Sequence, residues 1–376
     1  MQTSLPSQLL ATERGREADS ILRACVHCGF CIATCPTYQV LGNELDSPRG
    51  RIYLIKAMLE GEPVSAITRT HLDRCLSCQA CETTCPSGVN YHRLLDIGRS
   101  EIEQRAPRPW SGRALRSVLR AVLPYRRRFT PLLRIGQYLR PLLPSLLRDH
   151  VPARRPRLTA PVVLAQARKV ILVQGCVQPG LSPNTHIAAT EVLAALAIEA
   201  VTVSAESCCG ALSYHLDAQQ QGLEFARRNI DAWWPLLEQG AEAIVMTASG
   251  CSNFVQDYAQ LLKDDVNYAE RAATVVASLK DIAEVLSGED LESLQINAGS
   301  QISWHCPCTA QHGQKLDGVT QAVLRRVGFE LPVIRDAHLC CGSAGTNSLL
   351  QPGTAAALRE RKLSALQASD PELIVT

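Results

Sequence analysis

The chain has 376 residues, 46% hydrophobic and 20% charged, enough for two or three ordinary cores and too apolar for a disordered chain. Its 23 glycines and 21 prolines exclude a collagen-like polymer, and its length excludes a disulfide mini-protein. The net charge of +2 hides an asymmetry: between Arg105 and Arg157 stand fourteen arginines and one acid, Asp149, a local +13 that leaves −11 for the remainder.

From the amino end, Met1 to Ala24 has no apolar run and contains Glu13, Glu17 and Asp19, so no signal peptide is expected. The longest apolar stretch, Val192 to Val203, is broken by Glu199, so no membrane span is expected either. A chain kept in the cytoplasm holds its thiols reduced. Sixteen reduced cysteines then read as metal ligands before disulfides.

Residues 1–104 carry eight cysteines in two runs and read as a helical, ferredoxin-like domain. The first run is Cys25-Val-His-Cys28-Gly-Phe-Cys31-Ile-Ala-Thr-Cys35-Pro36 and the second is Cys75-Leu-Ser-Cys78-Gln-Ala-Cys81-Glu-Thr-Thr-Cys85-Pro86. Both follow C-x2-C-x2-C-x3-C-P, the spacing for [4Fe–4S] clusters. Two-residue gaps let three thiolates on one tight loop reach three corners of a cubane. The fourth thiolate points elsewhere and serves the other cluster. The expected ligand sets are therefore Cys25, Cys28, Cys31 and Cys85 for one [4Fe–4S] cluster, and Cys75, Cys78, Cys81 and Cys35 for the other. Zinc sites would be built from paired C-x2-C knuckles, which two complete runs with trailing prolines match less well. His27, inside the first loop, reads as a surface residue before a donor that tunes cluster potential.

Residues 105–165 are cysteine-free and rich in Arg and Pro, a basic amphipathic connector. Leu115, Val118, Leu119 and Val122 share one helix face, with Arg113, Arg116 and Arg120 largely off it. Such a helix suits an anionic lipid surface first, then an acidic partner subunit, then the protein's own acidic surface. Without an aromatic stacking platform, nucleic acid is not expected.

Residues 166–290 and 291–376 form an internal repeat. Copy one reads as strand Lys169–Gln174, helix Asn184–Glu199, strand Val201–Ser204, helix Leu216–Leu237 and strand Ala243–Thr247. Copy two reads as strand Gln301–Trp304, helix Lys315–Val327, strand Leu331–Ile334, helix Gly353–Ala368 and strand Leu373–Thr376. The alternation predicts two tandem βαβ parallel-sheet units, and an α/β multi-domain protein overall. Thirty-one residues separate Cys176 from Cys208-Cys209-Gly210, and thirty-one separate Cys308 from Cys340-Cys341-Gly342. The fourth cysteine of copy one is Cys251. Its counterpart would fall about five residues past Thr376, so copy two is expected to be C-terminally incomplete. The expected further cofactor sites are Cys176, Cys208, Cys209 and Cys251, and Cys306 or Cys308 with Cys340 and Cys341. Adjacent cysteines suit bridging within a further iron–sulfur cluster better than one mononuclear site. The alternative is buried thiols with no ligand role. His215, His305, His312 and His338 lie near these cysteines and read as loop residues first.

No G-x-G-x-x-G, P-loop or nucleophile elbow accompanies these motifs, so no catalytic residue is assigned and the chain reads as an electron carrier. On the stretches Cys25 to Tyr38, Glu44-Leu-Asp-Ser-Pro-Arg-Gly-Arg-Ile-Tyr-Leu-Ile-Lys56, Cys75 to Tyr91 and His305 to Lys315, it resembles the iron–sulfur subunits of bacterial glycolate oxidase (glycolate dehydrogenase) over nearly its whole length. Its Cys-Cys-Gly repeats resemble those of the heterodisulfide-reductase type. The end of the chain before the fourth cysteine of copy two departs from that pattern. The resemblance implies an oxidoreductase complex in which two FAD-type subunits oxidise glycolate to glyoxylate. This subunit would pass electrons towards a quinone or membrane acceptor, from a cytoplasmic, peripheral position on the inner membrane. Competing readings are the same relay role with glycerol-3-phosphate or lactate as donor, a heterodisulfide-reductase-like enzyme, and a zinc scaffold.

Overall fold

The computed structural model of the chain describes residues 1–144, 148, 151–154, 156–159, 165–295 and 301–376. The chain divides into two compact units. One holds Met1–Trp110, Gly299–Gly318 and Phe329–Thr376; the other holds Ser111–Ala298 and Val319–Gly328.

The first unit begins with helices whose caps are written in the sequence. Thr12 caps helix Glu13–Ala24 by accepting from Gly15 N at 3.0 Å. Ser47 does the same for Gly50 N ahead of helix Pro48–Leu59, and Pro48 fills the first turn, where an N–H would find no partner. These helices bury Ala18, Ile21 and Leu22, and Ile52, Ile55, Met58 and Leu59, against Leu72 and against Leu94, Leu95 and Ile102 of helix Tyr91–Arg105. Each fully buried aliphatic of this kind contributes about 1.5–3 kcal/mol. The same unit contains a two-stranded parallel sheet. Its strands β5 (Ile302–Trp304) and β6 (Leu373–Val375) pair with Ile302 opposite Leu373, and helix Pro352–Gln367 immediately precedes β6.

The second unit is built on a four-stranded parallel sheet in the order β2-β1-β3-β4: Ile198–Val201, Arg168–Leu172, Ile244–Met246 and Leu279–Asp281. Ile171 pairs with Val201 on one side and Ile244 on the other. Val170, Ile171 and Leu172 are all buried, because helices cover both faces of the sheet. On one face Ile171, Ile244 and Met246 pack with Phe225, Ile230, Trp233 and Tyr258. On the other, Val170, Leu172 and Val245 pack with Ala189, Leu193 and Val285.

The repeat is visible but unequal. Strand Leu331–Ile334, expected in copy two, does not form. Only an isolated bridge joins Glu330 to Gln301, and Val333 is wholly exposed. Pro332 has no N–H for a ladder there. Helix Lys315–Val327 is shortened to Val319–Arg326, since Lys315 and Gly318 take left-handed conformations (φ 60° and 82°) at its expected start. In copy one the helix expected to reach Glu199 stops at Ala195, and β2 begins at Ile198 rather than Val201. From Val192 to Ile198 the chain is apolar throughout, so periodicity could not mark the change there. Strand β4 was not expected: Leu-Lys-Asp carries no strand pattern. The basic connector forms two helices rather than one, Trp110–Val122 and Arg126–Leu139, separated at Pro124. Leu115, Val118, Leu132, Ile135 and Tyr138 on them are exposed. Leu146, Leu147, Asp149 and Arg155 of the same connector lie outside the described residues.

Candidate metal centres

The two cysteine runs fold alike, position by position. His27 and Gly29 take left-handed conformations (φ 58° and 86°), and so do their counterparts Ser77 and Gln79 (φ 52° and 60°). Short helices Phe30–Ala33 and Ala80–Thr83 follow. Three of the four left-handed residues are not glycine, and each costs about 1–2 kcal/mol. Strain of that kind, repeated at equivalent places, marks loops shaped around a ligand. Thr34 Oγ1 donates to Ala80 O at 3.2 Å and ties the loops together.

One cavity is lined by Cys25, Cys28, Cys31 and Cys85 with Val26, Phe30, Ile52 and Val89 among its apolar walls. A second is lined by Cys35, Cys75, Cys78 and Cys81 with Leu76, Thr37, Arg51 and Tyr91. The first thus takes three thiols from the first run and two, Cys81 and Cys85, from the second; the other takes three from the second run and Cys35 from the first, with Cys81 bordering both. Burial pushes the Cys31 thiol up to about 11 and those of Cys78 and Cys81 well above the usual thiol range. Buried thiols of this sort become thiolates only when a cation-bearing group takes them. Soft sulfur donors around a largely apolar cavity fit iron–sulfur ligation. Among the described residues no three Cys, His, Asp or Glu side chains converge on a point suited to a single metal ion.

In the four-stranded unit, Cys176 follows β1, Cys208-Cys209 follow β2, and Cys251 lies in helix Ser249–Gln256 after β3. All stand beyond the carboxyl ends of parallel strands, where open α/β sheets place their sites. Cys176 Sγ lies 3.5 Å from Cys208 Sγ. Cys176 and Cys209 both donate to Cys208, which lowers the Cys208 thiol well below its usual value and raises the other two. Cys209 also borders Cys251, so the four thiols form one group. The pair is held through its backbone: Asn229 Nδ2 donates to Cys208 O at 2.9 Å, and Tyr258 OH donates to Cys209 O at 2.6 Å. Gly210 has φ 98°, and a Cβ there would lie 2.5 Å from Gly222 O, so only glycine lets the helix pass so close.

Copy two repeats the pattern in the other unit. Cys308 Sγ lies 3.7 Å from Cys340 Sγ. The hydrogen bond with Cys308 pushes the Cys340 thiol up to about 12, and that with Cys340 pushes Cys341 up to about 11. Between the two sequence candidates, Cys308 joins this group; Cys306 is buried nearby in sequence. Gly342 has φ 83° and a Cβ there would lie 2.7 Å from Ala355 O. Cys340 shares an apolar cluster with Leu76, Cys78, Ala80 and Leu358, which sets copy two beside the second cavity.

The histidines separate by role. His312 is fixed at both ring nitrogens, Nδ1 3.0 Å from Thr83 Oγ1 and Nε2 3.0 Å from His338 O. His305 hydrogen-bonds Cys341. His215 packs edge-on against Phe254, and His27 is exposed. Thr37, Arg51 and Tyr91, which line the second cavity, and Asp46 and His71, which contact Arg51, were not singled out from sequence. One signal could have found them: Arg51 lies on the same helical stripe as Ile55 and Leu59, a charged residue at a core position.

The 4Fe-4S dicluster domain family matches residues 21–89, and the cysteine-rich domain family matches residues 170–256 and 302–376. The chain is 53% identical, over 376 residues, to the glycolate oxidase iron–sulfur subunit of Escherichia coli (strain K12), covering all of this chain and 92% of that protein. It is 30% identical to the probable glycolate oxidase iron–sulfur subunit of Bacillus subtilis (strain 168), over 94% of this chain and 85% of the relative. It is 23% identical to a subunit of the dihydromethanophenazine:CoB–CoM heterodisulfide reductase of Methanosarcina mazei, again over 94% and 85%.

Proposed function

The chain belongs to the family of glycolate oxidase iron–sulfur subunits, and from that premise we propose that it carries electrons from partner subunits that oxidise glycolate to glyoxylate towards a quinone. It is a subunit of an oxidoreductase and binds iron–sulfur. In this reading the partners are two FAD-type subunits, and this chain holds two [4Fe–4S] clusters. Cys25, Cys28, Cys31 and Cys85 hold one; Cys75, Cys78, Cys81 and Cys35 hold the other. The observation that carries it is the exchange of the fourth thiol between two cavities. Crossed ligation holds two centres close together, and such centres pass electrons singly, which suits a relay between a two-electron donor and a membrane acceptor. The residues of this chain do the rest: they bind the centres, exclude water and set potentials.

The four thiols Cys176, Cys208, Cys209 and Cys251 support a further iron–sulfur site in copy one. Cys308, Cys340 and Cys341 support one in copy two, next to Cys78. Among the described residues no helix is long and apolar enough to cross a membrane. Exposed apolar residues on the two arginine-rich helices support peripheral attachment to the cytoplasmic face of the inner membrane.

Anaerobic iron and sulfide analysis with EPR tests this, on the co-purified complex with and without glycolate. Two reducible [4Fe–4S] signals are expected. Cys28→Ser and Cys78→Ser should each remove one of them and stop quinone reduction while glycolate still reduces the flavin. Quinone reduction retained in both variants would end the relay reading.

A further inference from the structure

Beside the second cavity lies a buried ionic network that the relay reading does not use. Arg51 is 1% exposed. Its Nε donates to His71 O at 2.7 Å, and Nη1 and Nη2 both donate to Thr37 Oγ1 at 3.1 Å. Nη2 also lies 3.5 Å from Asp46 Oδ1. Asp46, wholly buried, accepts from Arg74 Nη1 at 3.0 Å through Oδ2 and meets His71 Nδ1 at 3.0 Å through Oδ1. Two guanidinium groups against one carboxylate leave this network with an excess of positive charge. Arg51 lines the cavity together with Cys35, Cys75, Cys78 and Cys81.

Thr37 connects that charge to a ligand sulfur. Its Oγ1 accepts two N–H groups from Arg51, which occupies both lone pairs. One O–H remains, within reach of Asp46 O at 3.0 Å and Cys35 Sγ at 3.3 Å. A thiol at Cys35 can donate to Asp46 O, 3.7 Å away; a thiolate cannot. Once Cys35 ligates as a thiolate, Thr37 is the only possible donor in the pair, and its O–H is polarised by the guanidinium behind it. Tyr91, 4% exposed and bordering both cavities, donates from its hydroxyl to Cys75 Sγ at 3.6 Å.

Among the described residues the first cavity has no buried guanidinium of this kind; there the Arg49 backbone N–H donates to Cys31, without a charged group behind it. Arg49 lines it, but that side chain is 35% exposed and its Nε lies 2.5 Å from Glu44 Oε1, so its charge is paired and screened. Cys28 is exposed.

We propose that Arg51, acting through Thr37 on Cys35, raises the reduction potential of the centre held by Cys35, Cys75, Cys78 and Cys81 above that of the centre held by Cys25, Cys28, Cys31 and Cys85, so that electrons come to rest on the former. A centre that gains an electron becomes more negative. Hydrogen bonds onto its sulfurs and a fixed positive charge stabilise that reduced state, while burial opposes it. Cys35, Cys78 and Cys81 are all buried, so without the network the second centre would be the harder one to reduce. Arg51 is a positioning residue: it acts on the ligand through Thr37 and through its field.

The inference rests on the two-centre reading, and the test separates the two. EPR-monitored redox titration of the full chain, purified anaerobically, reads both midpoints. Cys28→Ser removes the first centre and so identifies the second, whose midpoint should be the higher. Thr37→Val keeps the shape and every Asp46 ion pair but removes the donor. It should shift the second midpoint to more negative values, leave the first where it was and leave iron and sulfide content unchanged. Thr37→Ser should restore the parent value. Arg51→Met should give a larger shift of the same sign, with Arg51→Lys in between. Should Arg51→Met fail to fold, Thr37→Val decides alone. Two centres with the second midpoint unmoved in Thr37→Val, or with the first midpoint the higher in the parent, overturn the inference. A parent chain showing fewer than two centres overturns the relay reading instead.

Discussion

Gly210 and Gly342 stand at the same place in the two repeats, and each is fixed by two separate demands. Both take a left-handed conformation, and both face a backbone oxygen too close for a Cβ. Substitution by alanine combines backbone strain with displacement of a packed helix, so Gly210→Ala and Gly342→Ala should each lower stability by about 1–3 kcal/mol. Gly353, with nothing within 4 Å of where a Cβ would stand and at the start of helix Pro352–Gln367, should accept alanine with a gain of a few tenths. Denaturant midpoints of the three variants check this; equal effects at Gly342 and Gly353 would show that the close approach has no energetic weight. At this scale the cysteine spacings were fully legible, since two- and three-residue gaps are local. Arg51, Thr37 and Asp46 were not: their meeting brings together two α-helices and the 3-10 turn between them.

At the scale of elements, the two arginine-rich helices present the clearest test. Leu115, Val118, Leu132, Ile135 and Tyr138 are exposed. Arg113, Arg127 and Arg134 are exposed beside them, whereas Arg126 bonds Gln174 Oε1 at 2.5 Å and Arg128 sits over the Tyr125 ring at 4.4 Å. All five are exposed, but Arg126 and Arg128 are also engaged by neighbouring side chains. A combined Arg113→Gln, Arg127→Gln, Arg134→Gln variant should bind anionic vesicles at least tenfold more weakly, by the rule of about 1 kcal/mol per basic residue near the surface, and keep its iron content. Vesicle co-sedimentation across a salt series measures it, and binding that ignores both salt and the substitutions would remove lipid as the occupant. Helix periodicity showed where this segment would be amphipathic. It did not show the break at Pro124, nor the failure of the Leu331–Ile334 strand at Pro332, because an apolar pattern records burial preference and not the hydrogen bonds proline removes.

At the scale of the molecule, the two units should respond differently to loss of iron. In the first, buried thiols and left-handed residues His27, Ser77 and Gln79 are held together around the two cavities at a conformational cost that ligation offsets. In the second, β1 and β3 lie between two apolar layers that need no ligand. Chelation under anaerobic conditions should therefore expose amides 25–35 and 75–85 to rapid hydrogen exchange while Val170–Leu172 and Ile244–Met246 stay protected. Unchanged protection of both cysteine loops after iron removal would mean that the loops are held by packing alone.

Ligand type, the two-run architecture and the duplicated Cys-Cys-Gly units were determined by the sequence itself, because spacing along the chain dictates what a loop can reach and periodicity dictates what a sheet can bury. Tertiary structure alone decided which thiols share a cavity with a buried guanidinium, and that the second repeat, apart from Val319–Gly328, packs in the same unit as the two cysteine runs while the first stands in the other. The reason is physical: charge and packing act through space, and residues as far apart in the chain as Cys78 and Cys340 meet only after the chain has folded.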